Sequence, residues 1–202
     1  MRFLLPLVVV LLGFASVRPG PAVAAGGEIP TEEANARFTY KGKPIHPGCI
    51  REFEVWMSDG DPPRVLTVDV DSCVTSDKNF SPLRRSPDGW VSASTGDEQS
   101  RDWCAYKHLG RTSTGTHVLA VRLAGGGTMV ATYVYLVRFD QEEYQLFSKG
   151  GERPSVEKRL VLKCVGQLGI GDRDDGTLEL RGDVLVLGVS RHRNQEEKYR
   201  LP

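Results

Sequence analysis

Asp69 and Asp71 stand two residues apart in Leu66-Thr67-Val68-Asp69-Val70-Asp71, where apolar and polar side chains alternate. On a strand, that spacing sends both carboxylates to one face. Two neighbouring carboxylates are the equipment of a glycoside hydrolase, one serving as acid and the other as nucleophile or base. The same chemistry requires burial around one of them to raise its pKa. The flanking residues offer no apolar pocket for one acid alone, and alternation by itself already puts polar residues on a solvated face. The histidines His46, His108, His117 and His192 are scattered. His108 and His117 fall on segments that read as neighbouring strands, so a histidine–carboxylate pair is the other route to hydrolysis. Neither a G-x-S-x-G elbow nor an H-E-x-x-H helix is present.

Other residue groups invite a binding reading. Trp56, Trp90 and Trp103 are the large aromatic anchors. Trp103 precedes Cys104 and reads as core. Trp90 follows Pro87-Asp88-Gly89 in a long polar stretch, where a large aromatic has the least structural reason to be, and it is the expected contact residue. Gly125-Gly126-Gly127 lies between two apolar strands and is a second candidate binding element, against the plainer reading of a hairpin or bulge connection. With no helix following, the run is not a phosphate loop. Arg181-Gly182-Asp183 spells an adhesion tripeptide, but a two-residue hairpin already explains its glycine. Asp172-Arg173-Asp174-Asp175-Gly176 resembles an acidic calcium loop with the wrong spacing, since a D-x-D-x-D-G order is needed. Asn79-Phe80-Ser81 is a formal glycosylation sequon followed by Pro82 and carries no weight. No metal or cofactor is expected.

Compartment is better marked. Arg2, the apolar run Phe3–Phe14 and the ending Ala22-Val23-Ala24 are the three parts of a secretory signal peptide. The run is too short to span a bilayer, which takes about 20 apolar residues. Cleavage after Ala24 would remove Arg2 and Arg18, leaving 178 residues with 24 basic and 26 acidic side chains. A nearly neutral, well-mixed surface gives no electrostatic footprint for nucleic acid and none for an anionic membrane. Cys49, Cys73, Cys104 and Cys164 all lie in the mature part, and an even number in an exported chain reads as two disulfides, expected as Cys49–Cys73 and Cys104–Cys164. Their spacing does not suit zinc.

The elements that must position these groups are mostly strands. Residues 25–37 read as a polar leader and 38–202 as one disulfide-stapled domain. Phe38–Tyr40 with Lys41-Gly42-Lys43 suggests a small hairpin, and Ile50, Phe53 and Met57 suggest a short helix over 50–57. Period-two alternation sets in at Arg64 and runs through Leu66, Val68 and Val70 into Cys73. Residues 74–101 read as a long polar loop. Strands are expected at Trp103–Leu109, His117–Leu123, Thr128–Phe139, Leu160–Cys164, Leu178–Leu180 and Val184–Val189. The third is apolar on both faces, as a strand covered on two sides must be. The expected fold is an antiparallel sandwich or curled barrel-like sheet, with one or two short helices near the N-terminus. The expected function is an exported, non-enzymatic binding protein, periplasmic or extracellular, taking a cell-envelope protein or glycan; the alternative is a hydrolase of envelope polysaccharide or peptide.

Overall fold

The computed structural model describes residues 34, 36–53, 67–75, 81–94, 102–125, 127–146 and 155–202. The signal-like N-terminus, Trp56, Gly126 and the sequon asparagine lie outside them. The chain is mostly β, and its sheets are antiparallel. A hairpin of β1 (Thr39–Tyr40) and β2 (Lys43–Pro44) leads into helix α1 (Pro47–Arg51); β3 (Thr67–Asp69) leads into helix α2 (Val70–Thr75). Then come β4 (Arg84–Arg85), β5 (Val91–Ser94), β6 (Asp102–Arg111), β7 (His117–Gly125), β8 (Ala131–Leu146) and β9 (Ser155–Asp172). The chain ends in β10 (Leu178–Arg181), β11 (Val184–Leu187) and β12 (Glu197–Arg200). Seven strands form one sheet in the order β3-β9-β8-β7-β6-β5-β4, and β10-β11-β12 form a second.

Strand β8 lies within the large sheet and is apolar on both faces, so each face needs its own cover. On the first face Tyr135, Val137 and Phe139 join Leu119, Val121, Leu160 and Leu162 in the larger core. The N-terminal lobe closes that core with Ala34, Phe38, Ile45, Ile50 and Phe53. On the second face Val118 and Val134 meet Leu185 and Leu187 of the small sheet, flanked by Leu109, Leu136, Leu168 and Leu180. Strand β9 serves both cores. Leu160, Leu162 and Cys164 face the first and Leu168 and Ile170 the second, because the register with β8 shifts between Leu136 and Val137. One extra residue in a strand reverses which face its later side chains meet.

Several expectations give way to local chemistry. Helix α1 starts at Pro47 because His46 caps it, its Nδ1 accepting from the Gly48 N–H at 3.0 Å, and proline suits a first helical position. Residues 54–57 of the expected helix lie outside the described ones. The alternating strand stops at Asp69, whose carboxylate accepts from the backbone N–H of Ser72 at 3.0 Å and from its hydroxyl at 2.8 Å; an N-cap of this kind turns the next residues into α2. The 74–101 stretch contains β4 and β5, with Val91 and Ala93 buried between Ser92 and Ser94; small polar residues hide an alternation that larger ones would reveal. Ala34, in the expected polar leader, is fully buried in the first core. Strand β12 was not expected. The Lys41-Gly42 turn, with both φ values positive, and the Gly182-Asp183 turn match their expected hairpins.

Only half of the expected disulfide pairing forms. Cys49 and Cys73 are bridged and fasten α1 to α2. Cys104 and Cys164 remain thiols. They sit on β6 and β9 with β7 and β8 between them. Three inter-strand steps amount to about 14 Å, and a bridge needs Cα atoms within roughly 7 Å. Alkylation of the unfolded, unreduced protein is therefore expected to modify two cysteines, and mass mapping should find Cys49 and Cys73 in one linked peptide. Cys49→Ser with Cys73→Ser should lower unfolding free energy in urea by about 3–4 kcal/mol, from releasing a loop 24 residues long.

Candidate functional site

The expected contact residue, Trp90, is placed by a tight turn. The Gly89 N–H donates to the Ser86 carbonyl at 3.0 Å, the Ser86 N–H to the Trp90 carbonyl at 3.0 Å, and the Trp90 N–H to the Ser86 hydroxyl at 3.1 Å. Gly89 sits at φ 90°, in the left-handed region this turn requires. Because Val91 is buried in the first core, Trp90 must point to the second face. There the guanidinium of Arg122 lies 4.5 Å from the centre of the indole ring, a cation–π stack, and Arg122 also reaches the Asp174 carbonyl at 3.5 Å.

Register defines the rest of this face. Ser92 is opposite Ala105, Ala105 opposite Arg122, and Arg122 opposite Thr132. Lys107 is opposite Ala120, and Trp103 opposite Ala124. None of these side chains belongs to the second core, which occupies the far ends of β6 and β7 and the strands β8 and β9. Trp103 is half-buried here: alternation turns it away from Cys104 and out of the first core, against the core expectation. Thr132, beside Arg122, carries a buried hydroxyl with no hydrogen-bond partner. The face thus combines two tryptophans and guanidinium and ammonium groups over a floor of alanines.

Gly125 pairs with Asp102 and follows Ala124, which is opposite Trp103, so the run adjoins the Trp103 end of this face, ~17 Å along the strands from the Trp90 level. Gly125 and Gly127 are exposed, neither has a positive φ, and a Cβ added to Gly127 would meet nothing. The described glycines of the run act as a connection.

Asp69 and Asp71 are held apart by separate partners. Asp69 caps α2 and binds Arg159 at 2.7 Å, whereas Asp71, inside the helix, accepts from Lys41 at 2.7 Å and Tyr40 at 2.8 Å. Burial pushes the Asp69 carboxyl up, but hydrogen bonds from Ser72 and Arg159 outweigh it and hold the group below the ordinary range. Bonds from Lys41 and Tyr40 lower Asp71 likewise. A glycosidase acid needs the opposite shift.

The histidines do meet: His117 Nδ1 and His108 Nε2 are 3.1 Å apart. Burial lowers the His108 pKa, against a Gly110 backbone bond that favours its charged form. His117 Nε2 is buried with no partner. Phe38 packs on both rings at 5.2 Å and Phe139 edges onto His117 at 5.5 Å, while Phe38 itself takes a left-handed φ of 53°. Among the described residues no carboxylate bonds either imidazole. His117 is fully buried and His108 half-buried, and with Phe38 over both rings the pair acts as a polar knot at the first core.

The acidic loop is also spoken for. Asp174 is buried against Arg193, whose NH1 and NH2 reach its two oxygens at 3.0 Å each, with Gly176 N–H and the Ser190 hydroxyl completing its bonds. Asp172 accepts from the Val130 N–H and Asp175 pairs with Arg191. Among the described residues no group of three His, Cys, Asp or Glu could hold a metal ion. In the tripeptide, Asp183 accepts from the Ser113 N–H at 2.7 Å and its hydroxyl at 2.6 Å, and Arg181 binds Glu179, so its ends are engaged in the fold.

No known protein family, curated protein or solved structure matches the chain.

Two stability predictions follow from these clusters. Burial, with the nearby positive charge of His108 and Arg111, drops the His117 pKa from 6.5 to about 3. The unfolded state therefore holds more protons between those values, and stability falls as pH falls through that window, by up to about 1.4 kcal/mol per unit. Urea midpoints from pH 7 to 5.5, above the carboxylate range, should show that slope, and His117→Phe should reduce it, leaving the smaller share of His108, which burial also lowers. Separately, Arg193→Leu should cost about 3–5 kcal/mol in the same assay by stranding the buried Asp174 carboxylate.

Proposed function

We propose that this chain is an exported, non-enzymatic binding protein that takes its ligand on the second face of the large sheet, around Trp90. One observation carries the reading: a half-buried indole, set by its own turn beyond the small sheet's cover, with the Arg122 guanidinium stacked on it at 4.5 Å. Large aromatics on rigid strands lose little entropy on binding and supply much contact area. The stacked arginine and the Asp174 carbonyl hold the charged group ready. The signal-like N-terminus and the Cys49–Cys73 bridge support export, and among the described residues no helix is long and apolar enough to cross a membrane. A hydrolytic role has less to support it, because the carboxylates are capped or paired and the histidines are covered.

The test is equilibrium binding of the mature chain to a panel of envelope proteins and glycans. Trp90→Ala should weaken the ligand it takes by about thirtyfold, the scale of a buried aromatic hot spot, with the urea midpoint little changed. Unaltered affinity in that variant would overturn the assignment of the face.

A further inference from the structure

Much of this protein's surface settles its cations internally. Lys41 meets Asp71, Arg159 meets Asp69, Lys163 meets Asp140, and Arg191 meets Asp175. The Trp90 face departs from that pattern. Arg84 is opposite Ser92 and so shares its side of the sheet with Arg122; Lys107 lies next to the Trp90 turn, its Cε 3.8 Å from where a Gly89 side chain would begin. Among the described residues neither Arg84 nor Lys107 is in an ion pair, and Arg122 meets a neutral carbonyl and an indole ring. The acid that faces them, Asp88, is lowered first by its hydrogen bond from Ser86 and only weakly by Lys107 and Arg122. Among the described residues, three positive groups thus share this face with the Asp88 carboxylate.

The aromatic groups are arranged for something long. Trp103 lies on the adjacent strand, four positions along from the Trp90 level, which strand geometry makes about 14 Å. Between their levels lie the half-buried Ser92 and the buried Ala105, so two half-buried rings and the cations share one stretch of this face. A ligand spanning both rings is extended, offers apolar ring faces to the indoles and carries negative charge at intervals. On these grounds, and resting on the proposed binding role of the face, we infer that the ligand is an acidic polysaccharide whose sugar rings stack on Trp90 and Trp103 while its carboxylate or sulfate groups meet Arg84, Lys107 and Arg122. Nucleic acid is the poorer fit: the chain as a whole balances 26 basic against 26 acidic residues, and three cations make too short a footprint for a phosphate backbone.

Titration calorimetry of the mature protein with oligogalacturonate, a neutral cello-oligosaccharide of equal length and oligo(dT) tests this. The expected result is preferential binding of oligogalacturonate, weakening with salt at a log–log slope of about −2 to −3, in keeping with three contacts. Arg84→Gln with Lys107→Gln should lose tenfold or more for the acidic oligomer, Trp90→Ala should weaken it by about thirtyfold, and Trp90→Phe should restore part of that loss. Equal affinity for the neutral oligomer, or tighter binding of oligo(dT), would overturn the ligand class; continued dependence on Trp90 would then leave the face itself standing. Binding to none of the three probes would overturn the acidic-glycan inference, and the face would fall as well if the ligand found in the wider panel ignored Trp90→Ala. Thermal melts of each variant separate lost contacts from lost fold.

Discussion

A strand that is apolar on both sides cannot rest at the surface, and that constraint on β8 organises the molecule. Val134 and Leu136 need cover on one side, Tyr135, Val137 and Phe139 on the other. Each fully buried side chain of this size is worth about 1.5–3 kcal/mol, so leaving either face wet would consume a typical domain's whole stability. The N-terminal lobe answers on the first face and the β10-β11-β12 sheet on the second. The bulged strand β9 joins the two solutions, presenting Leu160 and Leu162 to one core and Leu168 to the other.

The two covers are attached differently. The N-terminal lobe is short and could not hold by area alone. It is fastened by the Cys49–Cys73 bridge, by Arg51 bound to both oxygens of Asp102 at 2.5 and 2.9 Å, and by the Tyr106 hydroxyl on the Ile45 carbonyl at 2.7 Å. The small sheet is locked by the buried Arg193–Asp174 pair and by Asp183 on the Ser113 turn. It also approaches β6 closely: a side chain at Gly110 would start 3.1 Å from Leu180, and its φ of 145° already favours glycine. Polar groups that looked like sites, the acidic loop and the tripeptide, are these fastenings.

What the covers leave open matters as much. The second core reaches the ends of β6 and β7 but does not include Trp90, Trp103, Lys107 or Arg122, which stay half-buried over the buried Ala105, Ala120 and Ala124. There the alternation that fills the cores elsewhere displays Trp90, Trp103, Lys107 and Arg122 together. The same register that buries Val91 and Cys104 turns Trp90 and Trp103 to the opposite face, where they are half-buried.

From the amino-acid order alone, the antiparallel β class, the doubly buried strand, the two short hairpin turns and the Cys49–Cys73 bridge were legible, because periodicity and turn chemistry are local properties of consecutive residues. Trp90 also stood out, as an aromatic without a core pattern around it. The separation of Cys104 from Cys164, the turn of Asp71 away from Asp69, the contact of His108 with His117 and the gathering of Arg84, Lys107 and Arg122 around Trp90 were decided by the tertiary structure. Each depends on strand order and register, and those are set by which faces must be buried against which partners, over separations that no window along the chain can span.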